Sequence, residues 1–278
     1  MRALVAEQFP QWADRSVTPV PRQGNDNRTF RLGADLAVRL PAGPGYASAV
    51  QKEDRALPVL ARYLPVAVPE VVATGRPGAG YPYPWSVRRW LPGAVLADAG
   101  PVDEERLGRD LGVFLRQLHT VPPGDGPAAG SHSFLRGLHP GSYDEEVQDA
   151  LRGLGDVDRR ACAAIWEAAL ATTWTQHPVW FHGDLAPGNL LVVEGRLSAV
   201  IDFGTCGVGD PACDLVIAWT GLGGAGRAAL RDAAGLDDGT WARARGWALW
   251  KALVTAPGSP LHVEQHRALA RLLAERPV

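Results

Sequence analysis

Lysine is nearly absent. Lys52 and Lys251 are the only two, so almost all of the 28 positive side chains are arginines, a skew that reads as coding bias. Cysteine is scarce too. Cys162, Cys206 and Cys213 are odd in number and form no C-x-x-C pair. That argues against a disulfide framework or a zinc site and fits a reducing compartment. No apolar run approaches the roughly 20 residues needed to span a bilayer. No basic-then-apolar leader opens the chain, so the expected location is the cytoplasm, with no membrane partner. A basic excess is also missing. The net charge of −2 argues against a nucleic-acid partner and leaves room for a local positive pocket. No internal repeat or long low-complexity tract is present.

What remains has an ordinary globular balance, 46% hydrophobic and 21% charged. The 278 residues suffice for one large domain or two intimate lobes with a packed core. Over the first ninety residues, short strands surround one helix. Val17–Pro21 and Thr29–Leu32 flank the polar turn Gly24-Asn25-Asp26-Asn27, and Gly33-Ala34-Asp35 leads into Leu36–Leu40. These turn signals predict a three-strand meander. Ser48 with Gln51 three residues on resembles a capping box, so a helix carrying Lys52 and Glu53 is expected to start there, with Pro58 ending it or restarting a turn. Val68–Ala73 and Trp85–Trp90 read as two further strands, and Leu91-Pro92-Gly93 as a hinge.

Beyond the hinge the pattern turns helical. Leu107, Leu111, Phe114, Leu115 and Leu118 recur at helical spacing. Asp156–Trp174, Thr240–Val254 and Ser259–Glu275 are further predicted helices. Leu190–Val193 and Leu197–Ile201 form a hairpin around Glu194-Gly195. Asp210-Pro211 looks like an N-cap with proline at the first helical position. Strands first and helices second predict an α+β chain with two segregated lobes, 1–91 and 92–278.

The chemistry is concentrated between His182 and Asp202. His182-Gly183-Asp184 is followed by Asn189 five residues after the aspartate, then by the hairpin, whose second strand runs into Asp202-Phe203-Gly204. Three oxygen-bearing side chains thus sit at the ends of neighbouring short elements. Magnesium takes oxygen ligands, one or two from protein and the rest from phosphate and water. Asp202 and Asn189 can supply the protein ligands. Asp184 is left to orient a hydroxyl and accept its proton, and positioning with charge stabilisation does the rest of phosphoryl transfer.

These residues resemble the aminoglycoside phosphotransferase family, a branch of the protein-kinase-like fold, whose catalytic loop reads H-G-D-x-x-x-x-N where protein kinases have H-R-D-x-x-x-x-N. The resemblance implies a bilobal fold with a small β-rich N-lobe and a larger, mostly helical C-lobe. It implies ATP (or GTP) and Mg2+ as cofactors, Asp184 as catalytic base, and Asn189 and Asp202 as metal ligands. It makes His182 a scaffold for the loop and Asp214 its brace. It also implies a cation on the third strand paired to a glutamate on the next helix. Here these are Arg39, where the family often has lysine, and Glu53. The turn at Gly24, Asn25 and Asn27, by itself an ordinary hairpin turn, becomes a phosphate-approaching loop in this setting. By position, the backbones of Arg89 and Leu91 would meet the base. Trp85 and Trp90 read as packing residues.

The acceptor is expected to be a small-molecule hydroxyl, on an aminoglycoside-like antibiotic or related metabolite; a macrolide, a small amino alcohol and a catalytically silent nucleotide-binding module are the alternatives. A polycationic aminoglycoside would want an acidic wall. Asp144, Glu145, Glu146 and Asp149, and Glu264 and Glu275 near the C-terminus, are candidates for it, against their reading as solvated helix faces. Gly183 and the short stretch between Gly204 and Asp210 argue against a protein kinase.

Overall fold

The computed structural model describes residues 1–24 and 26–275, without the side chain of Val157. The meander forms as its turns predict: β1 (Val17–Pro19), β2 (Asn27–Leu32) and β3 (Leu36–Pro41) run antiparallel. β4 (Val71–Gly75) and β5 (Trp85–Arg89) complete a five-stranded sheet of order β1-β2-β3-β5-β4. Period-two alternation decides the two faces. Leu36, Val38 and Leu40 join Trp85, Val87 and Leu32 in one core. Ala37 and Arg39 project from the other face, where Ser86 and Arg88 of β5 lie opposite them in register.

A short helix that the sequence reading missed, α1 (Arg2–Gln8), covers the first face with Leu4 and Val5. Trp85 is fully buried there, while Trp90 lies under the Arg31 guanidinium, 4.2 Å from the ring centre. Helix α2 (Pro44–Leu60) packs against the opposite face. It starts four residues before the expected Ser48: extended Gly43 is the N-cap and Pro44 takes the first turn, where its missing N–H costs nothing. Pro58 does not end the helix, which continues to Leu60.

The rest of the chain is mostly helical: α3 (Glu104–Thr120), α4 (Asp144–Arg152), α5 (Asp156–Leu170), α6 (Ile217–Thr220), α7 (Gly224–Ala234), α8 (Asp238–Val254) and α9 (His262–Ala274). Asp103 caps α3 by accepting from Arg106 N–H at 3.0 Å, and Asp237 caps α8 through Thr240 N–H at 2.8 Å. Helices α3 and α7 approach so closely that a Cβ on Gly108 would meet the Gly226 carbonyl oxygen at 2.0 Å. Helix α9 starts at His262 rather than Ser259, because residues 259–261 are spent in a turn in which the Ser259 hydroxyl accepts from Leu261 N–H. Helix α5 ends at Leu170, four residues short of the expected Trp174.

Between these helices lie two small sheets that frame the chemistry-bearing segment. One pairs β7 (Val179–Phe181) with β10 (Gly207–Gly209); the other has the order β6 (Ala94–Val95), β8 (Leu190–Val193), β9 (Arg196–Val200). A large core centred on α3, α8 and the β8–β9 hairpin lies beneath them. This is an α+β, protein-kinase-like bilobal architecture. Among the described residues no helix is long and apolar enough to cross a membrane.

Candidate active site

The segment following β7 is fixed from below by one buried carboxylate. Asp214 Oδ2 accepts from His182 N–H and Oδ1 from Gly183 N–H, each at 2.7 Å. Burial pushes the Asp214 carboxyl above the ordinary range, against the pull of His182 and these two N–H groups. Gly183 has φ +87, and a Cβ there would lie 2.8 Å from the Thr205 carbonyl oxygen. Both facts demand glycine.

The His182 ring is used at both nitrogens. Asp184 N–H donates to Nδ1 at 3.2 Å, so the ring hydrogen sits on Nε2 and points to the Ile201 carbonyl at 3.0 Å. Ile201 N–H in turn donates to the Asn189 carbonyl at 2.9 Å. One residue, Ile201, thus ties the Asp184 loop and Asn189 to each other through its carbonyl and its N–H, with Asp202 next in the chain. Phe203 packs edge-on against the His182 ring at 4.5 Å.

Asn189 Nδ2 donates to the Asp184 carbonyl at 2.9 Å and reaches Asp184 Oδ2 at 3.3 Å. Its amide oxygen is therefore turned away from Asp184. Asp202 adopts a left-handed backbone, φ 66, which aspartate tolerates better than most residues. Its Oδ1 accepts from Arg39 Nη2 at 2.7 Å. The other prong of the Arg39 fork meets Glu53 Oε1 and Oε2 at 2.9 and 3.1 Å. Burial opposes the charge on Arg39, but these two carboxylates more than offset it and raise its pKa.

The oxygen donors suit a hard divalent cation. Asp202 Oδ2 and Asn189 Oδ1 make no hydrogen bond among the described residues. No group of three or more His, Cys, Asp and Glu gathers at metal-binding distance among the described residues. Asp202 and Asn189 would supply two oxygen ligands, a set that suits magnesium, which takes the others from phosphate and water.

A sequence profile of the phosphotransferase enzyme family (APH) matches residues 16–247. The chain belongs to this family. Over 117 residues it is 30% identical to an aminoglycoside 3'-phosphotransferase of Escherichia coli, a stretch that covers 40% of this chain and 42% of that protein, less than half of the relative's length. Among solved structures, the GDP and kanamycin complex of APH(2")-IIia superposes with a TM-score of 0.76 at 20% identity, covering 97% of each chain. The macrolide 2'-phosphotransferase MphH of Brachybacterium faecium gives 0.62 at 24% identity, covering 99% of this chain and 98% of its own.

Within this phosphotransferase fold, Arg39, Glu53, Asp184, Asn189 and Asp202 come together. Gly24 and Asn27 flank the loop between β1 and β2, and Asn25 lies outside the described residues. The loop is clipped by Gln23, whose amide bonds Val20 and Thr29. It brings Asp26 close enough to Asp202 and Asp184 that burial, and then these two charges, push the Asp26 carboxyl up to about 6. Arg89 N–H is already spent on the Glu70 carbonyl at 3.0 Å, so of its backbone only the carbonyl is left for a base; the Arg89 side chain turns to Glu70 and Asp35 at 3.4 Å.

Three functional candidates escaped the sequence reading. Lys251 Nζ donates to Asp184 Oδ1 at 2.8 Å. Burial raises the Asp184 pKa, but Lys251, together with Arg136 and His182, holds the carboxyl below the ordinary range. Arg88, 1% exposed, sits 2.9 Å from Asp54 and 3.5 Å from Glu53, so Glu53 answers two guanidiniums. Arg136 joins Asp184 and Lys251 at one cleft. The scarcity of lysine was the only signal that could have singled out Lys251. Lys52, the other lysine, bonds the His132 carbonyl at 2.9 Å.

Proposed function

We propose that this chain is an ATP- (or GTP-) dependent, magnesium-requiring O-phosphotransferase that acts on a hydroxyl of a small molecule in the cytoplasm. The observation that carries the reading is Asp184. Its side chain is 39% exposed at a cleft beside Asn189, with the Arg39–Asp202 pair linked to it through Ile201 and the His182 ring. Residues 1–91 would take the nucleotide and residues 92–278 the acceptor.

In this reading Asp202 and Asn189 hold the metal, which when bound neutralises charge on the phosphates. Arg39, whose two prongs hold Glu53 and Asp202, offers its fixed positive charge and its remaining N–H groups to phosphate oxygens; arginine stays charged and can bind them as lysine does, with a different geometry. The loop around Gly24, Asn25 and Asn27 closes over the phosphates. The Arg89 carbonyl and the Leu91 backbone meet the base. Asp184 receives the acceptor hydroxyl. As the hydroxyl oxygen bonds to the γ-phosphorus, the bond from phosphorus to the β,γ-bridging oxygen breaks and its electron pair leaves with the nucleoside diphosphate. The hydroxyl proton passes to Asp184. His182 and Asp214 act by keeping Asp184 in place.

The relatives named above are phosphotransferases of aminoglycosides and of macrolides, which sets the first acceptors to try. The test is Mg-ATP consumption against a panel of aminoglycosides, macrolides and small amino or hydroxy compounds. Acceptor-stimulated consumption with one class supports the reading. Nucleotide binding without stimulation by any of them would favour a silent binding module.

A further inference from the structure

Helix α2 carries Glu53, yet its apolar side chains do not join the core of the sheet that carries Arg39. Ala56, Leu57 and Leu60 belong to the core of the helical lobe, and the core under the sheet takes no described residue of α2. What meets the sheet is a polar layer, Glu53 and Asp54 against Arg39 and Arg88. The end of α2 is thus anchored by apolar burial. The turns that lead up to Glu53 need another anchor.

Three side chains at helical spacing supply it. The Tyr46 ring lies 6.1 Å from that of Phe134. Ala49 lies against Gly204, where a Cβ would sit 3.6 Å from the alanine methyl group. Lys52 Nζ donates to the His132 carbonyl at 2.9 Å and meets Nδ1 of the same residue at 3.0 Å. His132 Nε2 is 2.7 Å from the Ala128 carbonyl, which can only accept. Nε2 therefore carries the ring hydrogen, and Nδ1 accepts from Lys52. Among the described residues these are the only side-chain hydrogen bonds from α2 to the helical lobe.

The far end of this latch is fixed. Ala129 N–H donates to the Val208 carbonyl at 2.9 Å, and Val208 N–H to the Pro127 carbonyl at 2.8 Å. The fully buried Ser133 hydroxyl accepts from Gly130 N–H at 3.2 Å and reaches the Arg136 carbonyl at 2.8 Å. Tyr143 O–H donates to the Phe134 carbonyl at 3.0 Å. Phe134 and Leu135 sit at φ 49 and 58, and Gly137 at φ 81. Non-glycine residues hold that region only where the surroundings over-determine the backbone.

Lys52 is costly where it stands. Both groups that it bonds are neutral, and burial lowers its pKa. The neighbouring Cys206 thiol, pushed up to about 12 by burial, offers no counter-charge. Glu53, the carboxylate beside it in the chain, is spent on Arg39 and Arg88. An ammonium buried on these terms adds little to stability. A chain that otherwise uses arginine keeps lysine here, where one compact head must meet a carbonyl and a ring nitrogen of the same residue.

We propose that Lys52 is a positioning residue for the nucleotide: by latching α2 to His132 it fixes Glu53, and Glu53 fixes the Arg39 guanidinium that meets the phosphates. The inference rests on the role given to Arg39 above. Without the latch, the first turns of α2 can shift against the sheet while Ala56, Leu57 and Leu60 stay packed. Glu53 then holds Arg39 over a range of places rather than at one. A displacement of about 1 Å is enough to weaken a positioned contact.

The experiment measures Mg-ATP binding to the full chain by calorimetry in a double-mutant cycle. Lys52→Met keeps the stem and removes the ammonium. It should weaken Mg-ATP by about tenfold, the scale of one charge-assisted hydrogen bond, while Tm stays within a few degrees of the parent. In an Arg39→Met background the same change should have no further effect, because the route to the phosphates is already cut. Lys52→Arg, which keeps a donor for the carbonyl, should recover part of the affinity. Hydrogen exchange should quicken over residues 45–53 and stay at the parent rate over residues 128–137. Unchanged Mg-ATP affinity in Lys52→Met, an equal loss in both backgrounds, or quickened exchange confined to 128–137 overturns the inference. Should Lys52→Met fail to fold, His132→Ala, which removes the ring acceptor, decides by the same two affinity comparisons. A loss of affinity in Arg39→Met but not in Lys52→Met removes the latch and leaves the parent reading standing. An Arg39→Met chain that binds Mg-ATP like the parent removes the role of Arg39, and the latch with it.

Discussion

Arg39 Nη2 lies 2.7 Å from Asp202 Oδ1, joining residues 163 positions apart in the chain. The same guanidinium holds Glu53, so one side chain from the strand-rich lobe ties helix α2 to the segment after β9. Lysine offers a point charge where arginine offers a fork. Arg39→Lys should therefore keep only one of the two pairings, and Arg39→Met neither. For Arg39→Met, Glu53 keeps Arg88 at 3.5 Å, so urea unfolding should show a loss of about 1–3 kcal/mol rather than collapse. Mg-ATP affinity should fall in the same variant, measured by calorimetry. Unchanged affinity would remove Arg39 from the phosphate site.

Gly183→Ala should be costly although it adds one methyl group. The backbone there has φ +87 and the new Cβ would press on the Thr205 carbonyl at 2.8 Å. Strain of about 1–3 kcal/mol is expected, visible as a lower Tm. Turnover should fall more than Mg-ATP binding, because the displaced atoms carry Asp184.

Acid should weaken the fold through His119. Burial lowers its pKa to about 4, and its Nε2 has no hydrogen-bond partner among the described residues. The unfolded chain takes up this proton near pH 6.5 and the folded chain only near pH 4. Stability is thus full above the unfolded value, declines as pH falls between the two, and changes no further from this group below the lower one. The loss is about 3 kcal/mol. His119→Leu should flatten that part of the stability–pH curve in urea unfolding. A variant with the same slope as the parent would exclude His119 as its source.

The strand meander, the β8–β9 hairpin and the capped α3 were legible because each is written locally in turn residues and in apolar spacing. The cluster of Asp184, Asn189 and Asp202 was legible for the same reason: it spans only nineteen positions from the first to the last. Helix α2 was misread at its start, because the apparent box at Ser48 and Gln51 outweighed the Gly43-Pro44 start. Lys251 stands 67 residues from Asp184, and only the packing of α8 brings it there. Arg136 depends on a left-handed pair of residues that carries no turn signature. The acidic residues were open to reading as a wall or as solvated helix faces because a sequence does not display the indoles and arginines that engage Asp144, Glu146, Asp149 and Glu275.

The most direct test of the whole account compares Asp184→Asn with the parent chain using the best acceptor from the panel. The carboxylate-to-amide change keeps size and removes the base. Mg-ATP should bind with nearly unchanged affinity, while acceptor phosphorylation falls by about 10²–10⁴-fold, the usual contribution of a positioned general base. Phosphorylation at the parent rate by the asparagine variant would contradict the account.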